Sequence, residues 1–241
     1  MHRLIDRIQE WWRYPQPTKS QRNLLGLHTD SFDLDFTARR LASEESARYM
    51  VKNMRQARNF TTDYDFHEWV STQIDAHLCD ELYLEFGVAT GRTLNHFGRL
   101  FPDNTIYGFD GFNGLPEDWT WYIRRGHFRQ NLPRVRKNCE LWIGWFNKTL
   151  PGFLDSHSGN LAFLHIDSDL YSSASYVLNQ LRGRIRPGTI IVFDEYFNYP
   201  GWEQDEFRAW QEFVHDNKVK YEYIGFVSRH QKVAVRITEI A

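Results

Sequence analysis

Five carboxylates stand where an apolar run gives way to a turn. Asp110 closes the run Thr105–Phe109, Asp167 closes Leu161–Ile166, and Asp194 closes Thr189–Phe193; Asp169 and Glu195 follow directly. In an open α/β sheet, ligands bind outside the carboxyl ends of the strands. Asp167-Ser168-Asp169 and Asp194-Glu195 are separated by one helical crossover, which predicts neighbouring strand ends. Three or four carboxylates that converge without a cation repel one another. Oxygen donors with no thiolate and few histidines suit a hard cation, Mg2+ first and Mn2+ or Ca2+ as alternatives. Asp169 also has a plainer account, as the N-cap of the helix that follows.

A second constellation is Glu85-Phe86-Gly87-Val88-Ala89-Thr90-Gly91, between a predicted strand and a predicted helix. Gly87 and Gly91 allow a backbone to approach a ligand closely. The helix beginning near Thr90 or Arg92 offers unpaired N–H groups. Asp110 follows roughly 20 residues later, where a carboxylate accepts hydrogen bonds from a ribose diol. The arrangement fits a dinucleotide or an adenosyl cofactor. It lacks the third glycine of GxGxxG, which speaks against a nicotinamide oxidoreductase.

These residues need a scaffold that alternates strands and helices, and the sequence supplies one. Strands are predicted over 81–86, 105–109, 140–143, 161–166 and 189–193, with helices over 90–100, 172–181 and 203–215. Residues 221–227 and 231–237 alternate around the turn 228–230 and read as a hairpin. The expected fold is α/β: a mostly parallel seven-stranded Rossmann-like sheet with an antiparallel C-terminal hairpin. Residues 1–78 read as a helical N-terminal extension, with helices over 4–12, 37–58 and 66–78, and Pro15 and Pro17 ending the first. Residues 79–241 form the catalytic domain in this reading.

The chain has 241 residues, which suits one such domain with an extension. A net charge of −2 makes no electrostatic case for nucleic acid. No stretch approaches the ~20 apolar residues of a membrane span, and the N-terminus lacks the apolar run of a signal peptide. Cys79 and Cys139 form no metal or redox spacing. A cytoplasmic location is the expectation. Aromatic residues make up 16 % of the chain, so some are expected to line a pocket; Tyr171, Tyr196, Trp121 and Trp202 are the candidates. The N-terminal helices are candidates for a homo-oligomer contact.

LEFGVATGRT, YGFDGFNGLPEDW, HIDSDLYSS and VFDEYFNYPGW together resemble the macrocin O-methyltransferase family, over roughly residues 80 to 237. The resemblance implies a class I methyltransferase that uses S-adenosylmethionine and Mg2+ to methylate a sugar hydroxyl of a natural product. It implies cofactor contacts from Glu85, Phe86, Gly87, Ala89, Thr90 and Gly91, with Asp110 on the ribose and Gly111 and Phe112 beside it. Gly144, Trp145 and Phe146 then lie near the adenine. Asp167, Asp194 and Glu195 hold the metal, and Asp167 also borders the cofactor. The family carries two adjacent aspartates where this chain has Asp194-Glu195. A base must take the acceptor proton; Asp167, His127 and His165 are the candidates. The acceptor is a small molecule, a sugar or glycoside first. A phenol or catechol is an alternative, and so is an acidic glycan facing Arg124, Arg125, Arg129, Arg134, Arg136 and Lys137, unless those residues are a solvated helix face. A non-catalytic scaffold has no use for converging charge.

Overall fold

The computed structural model describes residues 34–75, 78 and 81–241. The helix expected over 4–12, Pro15, Pro17 and Cys79 lie outside the described residues. Two compact units divide the chain, Met1–Leu41 and Ala42–Ala241. The first is described only at 34–41, the opening turns of helix α1 (Leu34–Asn53), where Arg39 Nε pairs with Asp35 Oδ2 at 2.8 Å.

The second unit holds strands β1 (Arg58–Phe60), β2 (Leu82–Phe86), β3 (Ile106–Asp110), β4 (Cys139–Ile143), β5 (Leu161–Ile166), β6 (Ile190–Phe193), β7 (Lys220–Val227) and β8 (Val233–Glu239). Its helices are α2 (Asp63–Ser71), α3 (Arg92–Leu100), α4 (Phe146–Ser156), α5 (Tyr171–Leu181) and α6 (Glu206–Asp216). All eight strands form one sheet in the order β1-β7-β8-β6-β5-β2-β3-β4. Only β8 runs against the rest. The sheet thus has one strand more than the seven expected. The extra strand, β1, is three residues long, too short to show an alternating pattern. It exists because β7 recruits it, with Asn59 opposite Phe226.

The chain winds outward from β2 in both directions, to β3 and β4 on one side and to β5 and β6 on the other. The crevice between β2 and β5 is therefore the switch point at which such sheets bind ligands. Strand parity decides what faces where. Leu84, Phe86, Leu164, Ile166, Ile191 and Phe193 pack with Phe153, Val177, Leu178 and Trp210 of α4, α5 and α6. On the opposite face, Tyr83, Phe163, Ile190 and Val192 pack with Phe66, Val70, Leu94 and Phe97 of α2 and α3. Each such side chain contributes about 1.5–3 kcal/mol on burial. Glu85 and His165 share the parity of Tyr83 and Phe163, so the same alternation carries two polar groups into an apolar layer. Among the described residues, no helix is long and apolar enough to cross a membrane.

Candidate active site

The glycine loop is built around a contact that only glycine permits. Gly87 has φ +94°, and a Cβ there would lie 1.6 Å from the backbone oxygen of Asp167. Loop and carboxylate turn are thus in direct backbone contact across the β2–β5 crevice. Asp110, at the end of β3, holds the loop from the other side. Its Oδ2 accepts the Val88 and Ala89 N–H groups at 2.9 and 2.8 Å, and its Oδ1 accepts the Phe112 N–H at 2.6 Å. These bonds keep Ala89 at φ 46°, a left-handed conformation that costs an L-residue about 1–2 kcal/mol. Gly91, at φ +75°, precedes α3, which has no side-chain N-cap. Gly87, Ala89, Thr90 and Gly91 therefore form the loop. Glu85 and Phe86 do not present side chains to it. Glu85 is fully buried, and Phe86 stacks on Phe109 with ring centroids 4.5 Å apart.

Beside the loop lies a cavity of about 590 Å3 lined by Gly111, Phe112, Asn113, Arg129, Gln130, Asn131, Leu132 and Ile143. Trp145 flanks it, with ring atoms 3.5 Å from where a Cβ on Gly111 would stand. Gly144 donates its N–H to Asp110 O at 3.0 Å, which ties the β4 end to the β3 end. Phe146 turns inward, edge-on to Phe86 at 5.1 Å. It supports the core, whereas Gly111, Phe112 and Trp145 border the cavity.

The connection 111–138 exceeds the ~12–15 residues beyond which an irregular loop usually has a function. Leu115 pairs with Gly126 and His127 through the backbone, and Trp119 Nε1 donates to Asp205 Oδ2 at 2.9 Å. Asn95 bonds Arg134 O and Arg136 N–H, so the far end of the connection is tied to α3. Arg124, Arg125, Arg129, Arg134, Arg136 and Lys137 lie on this irregular segment, not on a helix face, and Arg124 pairs with Asp118 at 2.9 Å. His127 is exposed on it, with its ring edge-on to Phe128. It is not among the side chains gathered at the strand-end carboxylates.

The carboxylates form two groups that share Asp167. Ligand atoms of His165, Asp167 and Asp194 lie within 4.8 Å of one another, and so do those of Asp167, Asp169 and Glu195. The expected trio of Asp167, Asp194 and Glu195 is divided between them. Lys232 stands on the Asp194 side: its buried ammonium lies 2.5 Å from Asp194 Oδ1 and 3.7 Å from Asp63 Oδ2. Asp194 already has its cation. Glu195 is in the opposite situation, since its Oε2 is buried without a hydrogen-bond partner. Burial, then the charges of Asp194, Asp167 and Asp169, push its carboxyl well above the usual range. A divalent cation among Asp167, Asp169 and Glu195 removes that penalty, so this set fits one. Asp169 is not an N-cap; Leu170 occupies that position, and Asp169 is buried at φ 62°. The Asp-x-Asp spacing at the strand end was the signal for it.

His165 is not placed to act as a base. It is fully buried between Asp194 Oδ1, at 3.3 Å from Nε2, and Glu85 Oε1, at 3.5 Å from Nδ1. Burial opposes its charge, but the Asp194 and Glu85 carboxylates on either side outweigh that and raise its pKa to about 10. Burial likewise raises Glu85, to about 7, against the pull of His165. A chain of polar groups in contact therefore runs behind the site: Glu85, His165, Asp194, Lys232, Asp63 and His230. Sequence spacing gave no hint of Lys232 or Asp63. Two of the expected pocket aromatics are also core. Tyr196 and Trp202 are fully buried, and the Tyr196 hydroxyl bonds Tyr223. Tyr171 donates to Glu212 at 2.6 Å, and Trp121 is exposed.

The fold is similar to that of solved structures. One is CalS11, a calicheamicin methyltransferase, with TM-score 0.56 and 22 % identity over 71 % of this chain and 78 % of that one. Another is the O-methyltransferase NovP, with TM-score 0.55 and 20 % identity over 73 % and 79 %. The fold is one that methyltransferases adopt. Residues 84–196 match the family described as "Methyltransferase domain", a stretch that covers the glycine loop, Asp110 and both carboxylate turns. A curated relative from Streptomyces olivaceus is 29 % identical over 48 % of this chain and 48 % of its own: 8-demethyl-8-(2,3-dimethoxy-alpha-L-rhamnosyl)-tetracenomycin-C 4'-O-methyltransferase. The match spans about half the length of that relative.

Proposed function

We propose that this chain is an S-adenosylmethionine-dependent O-methyltransferase acting on a hydroxyl of a sugar or sugar-bearing natural product, with a divalent cation at the acceptor. The observation that carries this reading is the backbone contact of Gly87 with Asp167. It supports reading the glycine loop as a cofactor loop that works beside a carboxylate set able to hold a cation. The relative from Streptomyces olivaceus, whose name specifies a rhamnosyl 4'-O-methyltransferase, supports a deoxysugar hydroxyl as acceptor. Gly87 to Gly91 and Asp110 hold the cofactor, and the cavity walled by Phe112, Ile143 and Trp145 takes its adenosyl end. Asp167, Asp169 and Glu195 hold the cation. When bound, these groups supply an electrophilic methyl and a lowered pKa for the acceptor hydroxyl. Asp167, which is part-exposed, takes the acceptor proton. The connection 111–138 excludes water, and positioning of this kind is worth about 7–11 kcal/mol for well-held reactants.

Methyl transfer to a rhamnoside or related glycoside, followed with labelled S-adenosylmethionine, tests the reading. Turnover is expected to fall at least tenfold in EDTA and to return with Mg2+; undiminished turnover in chelator removes the cation. Asp110→Ala strips the Val88 and Ala89 N–H groups of their acceptor. Hydrogen bonds to a charged group are worth about 1.5–3 kcal/mol, so calorimetry is expected to show S-adenosylhomocysteine bound at least tenfold more weakly. An unchanged dissociation constant would separate Asp110 from cofactor binding.

A further inference from the structure

Glu206 opens α6 and is fully buried. Buried acids are ordinarily matched with a basic partner, but among the described residues no cationic side chain pairs with this one. It accepts two backbone N–H groups instead. Its Oε1 takes the N–H of Ser168 and its Oε2 the N–H of Glu195, each at 3.1 Å. Ser168 sits between Asp167 and Asp169, and Glu195 is itself a candidate ligand. One rigid carboxylate therefore bridges the two turns that carry the cation set, at the points where those turns must be held apart by a fixed distance. A residue serving only to dock α6 has no need to use both carboxyl oxygens on these two amides.

We propose that Glu206 is a positioning residue that sets the separation of the Asp167–Asp169 and Asp194–Glu195 turns, so that Asp167, Asp169 and Glu195 present oxygens to one divalent cation. The proposal rests on the cation reading above. Partners that orient metal ligands typically cost 10–100-fold in metal affinity when altered. Glu206→Gln keeps the shape, but its amide nitrogen then faces a backbone N–H. Glu206→Asp keeps the carboxyl group but is one methylene too short to reach both amides.

The test uses the full chain, with Mn2+ binding read by electron paramagnetic resonance and amide exchange read by residue. In Glu206→Gln, the Mn2+ dissociation constant is expected to rise about 10–100-fold. The Ser168 and Glu195 amides are expected to exchange at least tenfold faster, while those of Leu164 and Val192 stay as in the parent. If Glu206→Gln does not fold, Glu206→Asp is measured in its place with the same expectations. A variant that binds Mn2+ as the parent does overturns the proposal and leaves the cation reading standing. A parent protein that binds no Mn2+ overturns both. Faster exchange at Leu164 and Val192 as well marks general loosening and also overturns the positioning role.

Discussion

Gly87→Ala is expected to destabilise the protein by about 3 kcal/mol or more and to abolish measurable S-adenosylhomocysteine binding. Two penalties combine. An L-residue held at the φ of +94° seen here costs of order 1–3 kcal/mol. The added methyl would also stand 1.6 Å from the backbone oxygen of Asp167, and neither side can yield freely. The Gly87 N–H is bonded to Phe109 O at 3.0 Å, and the Asp167 N–H to Phe86 O at 2.8 Å. Relief must come from breaking one of these ladder bonds at the crevice. For a domain of this size, such a loss lowers Tm by roughly 6–12 °C. A thermal melt and a calorimetric titration check both parts. Full cofactor affinity with an unchanged Tm would show that the loop and the carboxylate turn move independently.

The second large effect belongs to Lys232. Its ammonium is buried between Asp194 and Asp63, and removing one member of a buried ion pair costs about 3–5 kcal/mol because the other charge is left uncompensated. Lys232→Met keeps most of the volume and deletes the charge. Urea unfolding followed by circular dichroism is expected to show a loss in that range. Adding Asp194→Asn should recover part of it, since the double variant removes both charges together. A single-variant loss under ~1 kcal/mol would mean that His165 alone balances Asp194.

The fold was legible in the sequence wherever an element was long enough to show its period. Strands β2, β3, β5 and β6 are apolar runs ending at a glycine or a carboxylate, and the switch point follows from their order. The loop and the strand-end acids were legible for the same reason: they sit at punctuation. What escaped is set by contacts distant along the chain. β1 has no pattern of its own and borrows β7. Lys232 lies just before β8 and reaches Asp194 only because that strand pairs antiparallel with β6. Asp169 looked like a cap because spacing does not reveal that its backbone is left-handed. His165 looked like a base because the sequence does not show that the register sets it opposite Glu85. Tyr196 and Trp202 looked like pocket walls, and only packing shows that they are core.

The recruitment of β1 by β7 also orders events in time. Ser228 Oγ reaches Phe60 O across 168 residues of chain, and Lys232 reaches Asp63 across a similar span. A ribosome emits Phe60 and Asp63 long before either partner exists. The glycine loop and the Asp110 clamp can assemble on the emerging chain, because β2 and β3 are close in sequence. Asp63 and Asp194 must wait for the hairpin that brings Lys232. In a cell, a nascent chain stalled before β7 would display Asp63 without its cation and an unpaired sheet edge. That makes it a substrate for chaperones and proteases rather than a partly active enzyme.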